Sequence, residues 1–191
     1  MKVDEHGWLE GVEHIPSPNC DDRPTPEIFL LVIHNISLPP DEFGGDGVRQ
    51  LFTNTLDTNA HPYYQTLAGL NVSSHFFIRR DGHIIQFVSC LQRAWHAGAS
   101  CWQNRQRCND FSIGIELEGS DTVPFTDAQY VALQDLTPAL RFFSRAQYAA
   151  LQDLTPPTFA IAGHSDIAPQ RKTDPGPFFD WLRYLTKLAD E

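Results

Sequence analysis

The chain has four cysteines in 191 residues, and Cys20, Cys90, Cys101 and Cys108 form no C-x-x-C pair. That spacing argues against a zinc ribbon and against a thioredoxin-type redox pair. Long apolar runs are missing too: none approaches the ~20 residues needed to span a bilayer. The stretch from Met1 to Trp8 has neither an apolar core nor a cleavage site, so it does not read as a signal peptide. The cysteines therefore read as free thiols, and the cytoplasm is the expected address. Positive charge is scarce. The 14 Lys and Arg face 24 Asp and Glu, a net charge of −10. This argues against nucleic acid or an anionic membrane surface as a partner, though a small anionic substrate could still enter a locally basic cleft. No obligate protein partner is evident. There is no G-x-x-x-x-G-K-[ST], no G-x-G-x-x-G and no G-x-S-x-G, which removes three common nucleotide-binding and serine-hydrolase readings.

The length suits a single domain with a real core. Residues 1–27 carry Pro16, Pro18, Pro24 and Pro26 and read as an irregular arm. Ile28 to Ile33 is a continuous apolar run, expected to be a strand buried on both faces and ending at His34. A short helix is expected over Val48 to Leu56. The runs 75–79 and 84–88 flank Asp81-Gly82, a strong hairpin signal. Between Phe111 and Glu118, apolar Ile113, Ile115 and Leu117 alternate with Ser112, Gly114, Glu116 and Glu118. This is the pattern of a half-buried strand. Thr158 to Ala162 reads as a buried strand ending at Gly163, and a last helix is expected over about 178–188. The order predicts an α/β domain with a central mixed sheet flanked by helices.

One internal repeat stands out. A-Q-Y-V-A-L-Q-D-L-T-P (128–138) recurs as A-Q-Y-A-A-L-Q-D-L-T-P (146–156). Thr126 with Gln129, and Ser144 with Gln147, form capping boxes. Two copies are too few for a solenoid. The reading is a duplicated helical segment over 127–158, extending or doubling one helix, with Pro138 and Pro156-Pro157 as stops.

The chemistry concentrates in G-H-S-D-I-A-P-Q-R-K-T-D-P-G-P (163–177), a loop that Pro169, Pro175 and Gly176 keep from becoming a helix. Of the eight histidines, His34 and His164 each stand at the end of an apolar strand. Neighbouring strands would bring both imidazoles to one sheet edge. With a carboxylate they make the three-ligand set of a catalytic zinc, and Asp166 competes with Asp174 for that place. His75 and His96 could be satisfied core or cleft imidazoles. Gly114 leaves room for something to approach. Glu116 beside it reads most plainly as a solvent-face glutamate, with Glu118 on the same face. Were it to line the metal cleft, it could serve as a general base. Lys172 could sit over a developing oxyanion.

The motifs V-I-H-N-I-S-L-P-P (32–40), E-F-G-G (42–45), I-R-R-D-G (78–82), R-A-W-H-A-G (93–98), R-C-N-D-F-S-I-G-I-E-L-E-G (107–119) and the 163–177 loop carry a resemblance. Over nearly the whole chain the sequence resembles the cytoplasmic N-acetylmuramoyl-L-alanine amidases of peptidoglycan recycling. The resemblance implies a fold related to peptidoglycan recognition proteins and phage lysozyme amidases, and one bound Zn2+. It implies cleavage of the amide joining 1,6-anhydro-N-acetylmuramic acid to the L-alanine of the stem peptide, a small muropeptide substrate. It also implies His34, His164 and Asp174 as zinc ligands, with Glu116 as base and Lys172 on the oxyanion. Asn35, Trp95 and Arg107 match positions of the substrate cleft. The sequence departs from the family pattern at Asn71, where an arginine is expected before V-S-x-H, and in the longer stretch between Glu116 and His164. A muropeptide-binding module without catalysis, and an amidase acting on intact cell wall, are the alternatives.

Overall fold

Ten strands and five α-helices are organised around one six-stranded sheet in the computed structural model, which describes residues 1–149 and 158–189. In chain order the strands are β1 (Glu13–His14), β2 (Cys20–Asp22), β3 (Leu30–Ile36), β4 (Phe76–Ile78), β5 (Ile84–Gln86), β6 (Gln92–Ala94), β7 (Cys101–Trp102), β8 (Arg105–Gln106), β9 (Ser112–Glu118) and β10 (Ala160–Gly163). The helices are α1 (Gly47–Phe52), α2 (Pro62–Gln65), α3 (Asp127–Ala149), α4 (His164–Ile167) and α5 (Trp181–Ala189). The large sheet runs β1-β5-β4-β9-β3-β10. Only the β4–β5 hairpin is antiparallel, so the sheet is mixed.

The apolar runs account for the centre. Leu30 to Ile33 are fully buried in β3, which lies between β9 and β10 in parallel register. Parallel strands buried on both faces read as unbroken apolar sequence, as this one does. The odd-numbered residues Leu31, Ile33, Ile113, Ile115 and Leu117 pack with Leu133, Leu136 and Leu140 of α3 and Tyr184 of α5. Val48, Leu51 and Phe52 of α1 pack with Phe77 and Ile85 on the opposite face. Even-numbered His34 and Glu116 share that second face, away from α3 and α5.

Several expectations need correction. The arm over 1–27 is not wholly irregular, because β1 joins the large sheet and β2 pairs with β6. α1 ends at Phe52 rather than Leu56, and Asn54 adopts a φ of 58° just beyond it. β9 is not half-buried: all seven of its residues are buried. Its polar positions face a cleft and buried imidazoles instead of solvent. Pro138 does not stop a helix. α3 runs through it, and Ser144 is an interior residue whose hydroxyl donates to the Ile28 carbonyl. The apolar face on both sides of Pro138, from Leu133 to Phe143, is held against the sheet, which outweighs the roughly 3 kcal/mol of an interior proline. The carbonyl that loses its partner belongs to half-buried Gln134. The Thr126–Gln129 capping box is present, with reciprocal contacts of 3.1 Å. The last part of the second repeat copy, 150–157, lies outside the described residues.

Candidate metal centre and cleft

The register assembles the site. His34 pairs with Glu116 across β3 and β9, and Ile33 pairs with Gly163 across β3 and β10. His164, the next residue after Gly163, therefore lands beside His34. The 163–177 segment opens with one helical turn, α4, before Pro169. The expectation of a helix-free loop fails there because Asp166 caps that turn, accepting the Gly163 N–H at 2.7 Å. The chain then returns so that the Asp174 carbonyl accepts the Ser165 N–H at 2.9 Å. Gly163 permits this return, since a Cβ there would meet the Pro175 ring at 2.8 Å.

Three ligand-type atoms converge. His34 Nδ1 lies 2.9 Å from His164 Nδ1 and 2.9 Å from Asp174 Oδ2. His164 Nδ1 lies 3.0 Å from the same oxygen. A tetrahedral zinc with bonds of ~2.0–2.1 Å spaces its ligands by about 3.3 Å. His164 Nε2 faces the Ala97 carbonyl at 3.1 Å, an acceptor for a proton on that nitrogen. Three ligand-type atoms crowded in this way suit a cation, and among the described residues these three form the group that can hold one. Asp166 is committed to its cap, which leaves Asp174 as the carboxylate of the cluster.

The electrostatics agree. Burial holds His34 neutral, its pKa lowered to about 4. Burial alone would raise the Asp174 carboxyl, but its contacts to His164 and His34 more than offset this and leave it below the ordinary carboxylate range. Glu116 goes the other way. Burial, then the neighbouring Asp174 charge, raises it well above its ordinary value. Its Oε1 is 4.0 Å from His34 Nδ1, and its buried Oε2 has no hydrogen-bond partner among the described residues. Glu118, two residues on, is a clamp: it accepts from the backbone N–H groups of Gly44 at 2.5 Å and Arg80 at 2.9 Å.

These groups open into a cleft of about 540 Å³ that is also lined by Asn35, Trp95, Lys172, Tyr63 and Leu67. Lys172 is exposed and forms no ion pair among the described residues. Trp95 is anchored through its indole N–H, which donates to Asp21 Oδ1 at 3.1 Å. Asn35 spends its amide on Asp121 Oδ1 at 2.8 Å and the Pro175 carbonyl at 3.1 Å. Arg107 is not brought into this cleft. It is exposed and lines a separate hollow with Cys101 and Arg171. Two neighbours of the cluster had no assigned role in the sequence reading. His96, which the sequence left as a core or cleft imidazole, contacts His34 Nε2 at 2.9 Å, and the Arg171 guanidinium donates to the Ala97 carbonyl at 2.7 Å.

Two imidazoles, a carboxylate and a glutamate of raised pKa converge at one side of a mixed sheet, a set whose chemistry suits hydrolysis at a metal, and the comparisons name the class. Residues 24–177 match the N-acetylmuramoyl-L-alanine amidase family, and the chain belongs to it. Within the family it is similar to 1,6-anhydro-N-acetylmuramyl-L-alanine amidase AmpD of Escherichia coli, 53% identical over 190 residues, 98% of this chain and 97% of that protein. A crystal structure of a Se-Met AmpD derivative superposes with a TM-score of 0.88 at 52% identity, covering 98% of this chain and 99% of the other. AmiD from E. coli, solved in complex with the substrate anhydro-N-acetylmuramic acid-L-Ala-D-gamma-Glu-L-Lys, aligns with a TM-score of 0.56 at 28% identity. That alignment covers 97% of this chain and 65% of AmiD.

Proposed function

We propose that this chain hydrolyses the amide between 1,6-anhydro-N-acetylmuramic acid and the L-alanine of the stem peptide, in peptidoglycan recycling, with one zinc held by His34, His164 and Asp174. The observation that carries the reading is the convergence of those three ligand atoms beside a buried, unpartnered glutamate oxygen. Bound there, zinc would supply a Lewis acid for the scissile carbonyl and lower the pKa of water towards about 7.

The protein's own groups do the rest. Glu116, as carboxylate, takes a proton from the attacking water and, once protonated, passes it to the leaving amine. Its raised pKa suits both directions of that transfer. Lys172 places a cation over the oxyanion in the mouth of the cleft. Trp95 offers an apolar face to the sugar, and Asn35 stiffens the cleft wall. The four free thiols agree with a reducing, cytoplasmic address. Among the described residues no helix is long and apolar enough to cross a membrane.

The test pairs metal analysis with turnover. Purified protein is expected to carry one zinc per chain and to release free stem peptide from anhydromuropeptides faster than it digests intact sacculi. Protein that takes up no zinc and releases no peptide after zinc is supplied would overturn the reading.

A further inference from the structure

For His34 and His164 to offer Nδ1 to a metal, each ring must keep its proton on Nε2. His164 is held in that tautomer by the Ala97 carbonyl at 3.1 Å. The case of His34 is harder, because its Nε2 faces another imidazole nitrogen, His96 Nδ1, at 2.9 Å, and either ring could donate. The decision falls one step further back. His96 Nε2 lies 3.2 Å from Ser112 Oγ, and that hydroxyl lies 2.6 Å from the Cys108 carbonyl. A carbonyl accepts only, so the hydroxyl proton goes to Cys108 and Ser112 accepts from the His96 Nε2–H. His96 Nδ1 is then bare and accepts from the His34 Nε2–H. His34 is left with its Nδ1 lone pair turned towards Asp174 and His164.

We propose that the segment Trp95–Gly98 sets the tautomer of both metal-binding histidines: His96 is a positioning residue for His34, wired through Ser112 to the Cys108 carbonyl, and the Ala97 carbonyl does the same for His164. The segment is built to hold still. Asn109 Oδ1 accepts from the backbone N–H of His96 at 3.2 Å and of Ala97 at 2.8 Å. The Arg171 guanidinium also donates to the Ala97 carbonyl, at 2.7 Å, beside His164 Nε2. The His96 ring rests on Gly114, where a Cβ would come within 2.5 Å of its Cγ and 2.6 Å of its Nδ1. His96 is only 9% exposed, so little water competes for its nitrogens.

The inference rests on the zinc reading but is tested apart from it. Ring-nitrogen NMR of the metal-free protein should show His96 protonated at Nε2 and bare at Nδ1. A proton on His96 Nδ1 would overturn the proposal whether or not the protein binds zinc or turns over substrate. A second measurement separates positioning from packing. His96→Asn sets a carboxamide near the former Nδ1, within reach of the His34 N–H. His96→Gln carries it towards Ser112 instead. By chelator competition, zinc affinity should stay within about threefold in His96→Asn and fall roughly 10–100-fold in His96→Gln. Equal losses in the two variants, or none in either, would refute it. If the parent itself took up no zinc, the functional reading would fail, while the NMR result would still decide the tautomers.

Discussion

Glu116 shows most clearly how one side chain trades stability for chemistry. Its carboxyl is buried, with one oxygen lacking a partner, and its pKa is raised because burial disfavours the charge. A raised acid costs nothing below the ordinary glutamate value of 4.5, where both folded and unfolded states hold the proton. As pH rises past that value the unfolded chain ionises first, and the fold loses stability. In the metal-free protein, Glu116→Gln should therefore melt higher than the parent at pH 7, the two converging near pH 4. The same variant should keep its zinc and lose most turnover. Unchanged turnover would reject Glu116 as the base. Lys172 behaves differently, being exposed at the cleft mouth. Lys172→Ala should leave thermal stability and zinc content alone and lower kcat by about 10²–10³-fold, the cost of one oxyanion-stabilising contact.

At the scale of elements, β3 was legible in the sequence because a strand buried on both faces has an unbroken apolar run; β10 was legible from its apolar residues too, though as the edge strand it is buried only at Ala162 and Gly163. The hairpin was legible through Asp81-Gly82. β9 was misread for a physical reason: alternation reports two different faces, but not whether the polar one meets water or other protein. Here it meets the cleft and the rings of His96 and His75, so Gly114 and Glu116 are buried. His34 and His164 could be paired from their strand ends. His96 could not, since its partners Ser112 and Asn109 lie in segments that only the fold brings together. The resemblance named Asp174, and the structure supplies the reason: Asp166 is spent on its helical turn. Pro138 was misread because local propensity lost to packing. Thr137 next to it bonds to the Leu133 carbonyl and the Tyr184 hydroxyl, both at 2.7 Å, tying α3 to α5 at the proline. Pro138→Ala restores a missing helix hydrogen bond without touching those contacts. It should raise stability by about 1–3 kcal/mol in denaturant titration, leaving catalysis unchanged because α3 packs on the face opposite the cleft.

For the whole molecule, the proposed zinc is also a cross-link. His34 lies near the end of the central strand β3, His164 opens α4, and Asp174 closes the loop that returns to it. Separately these are a strand position, a helix start and a loop position, and their ligand-type atoms lie within 3.0 Å of one another. Unfolding scatters the ligands, so metal binding adds directly to the stability of the fold. At free zinc a thousandfold above Kd the gain is about 4 kcal/mol, which for a chain of this length corresponds to a rise in Tm of roughly 8–16 °C. Differential scanning calorimetry with and without a chelator measures it. Asp174→Ala should melt at one temperature in both conditions, since two imidazoles alone hold zinc weakly. Arg107→Ala should show the full zinc-dependent shift of the parent, because Arg107 lies in the separate hollow and touches none of the three ligands. A zinc response that survived Asp174→Ala would mean that the ion sits elsewhere, and the metal centre would have to be reassigned.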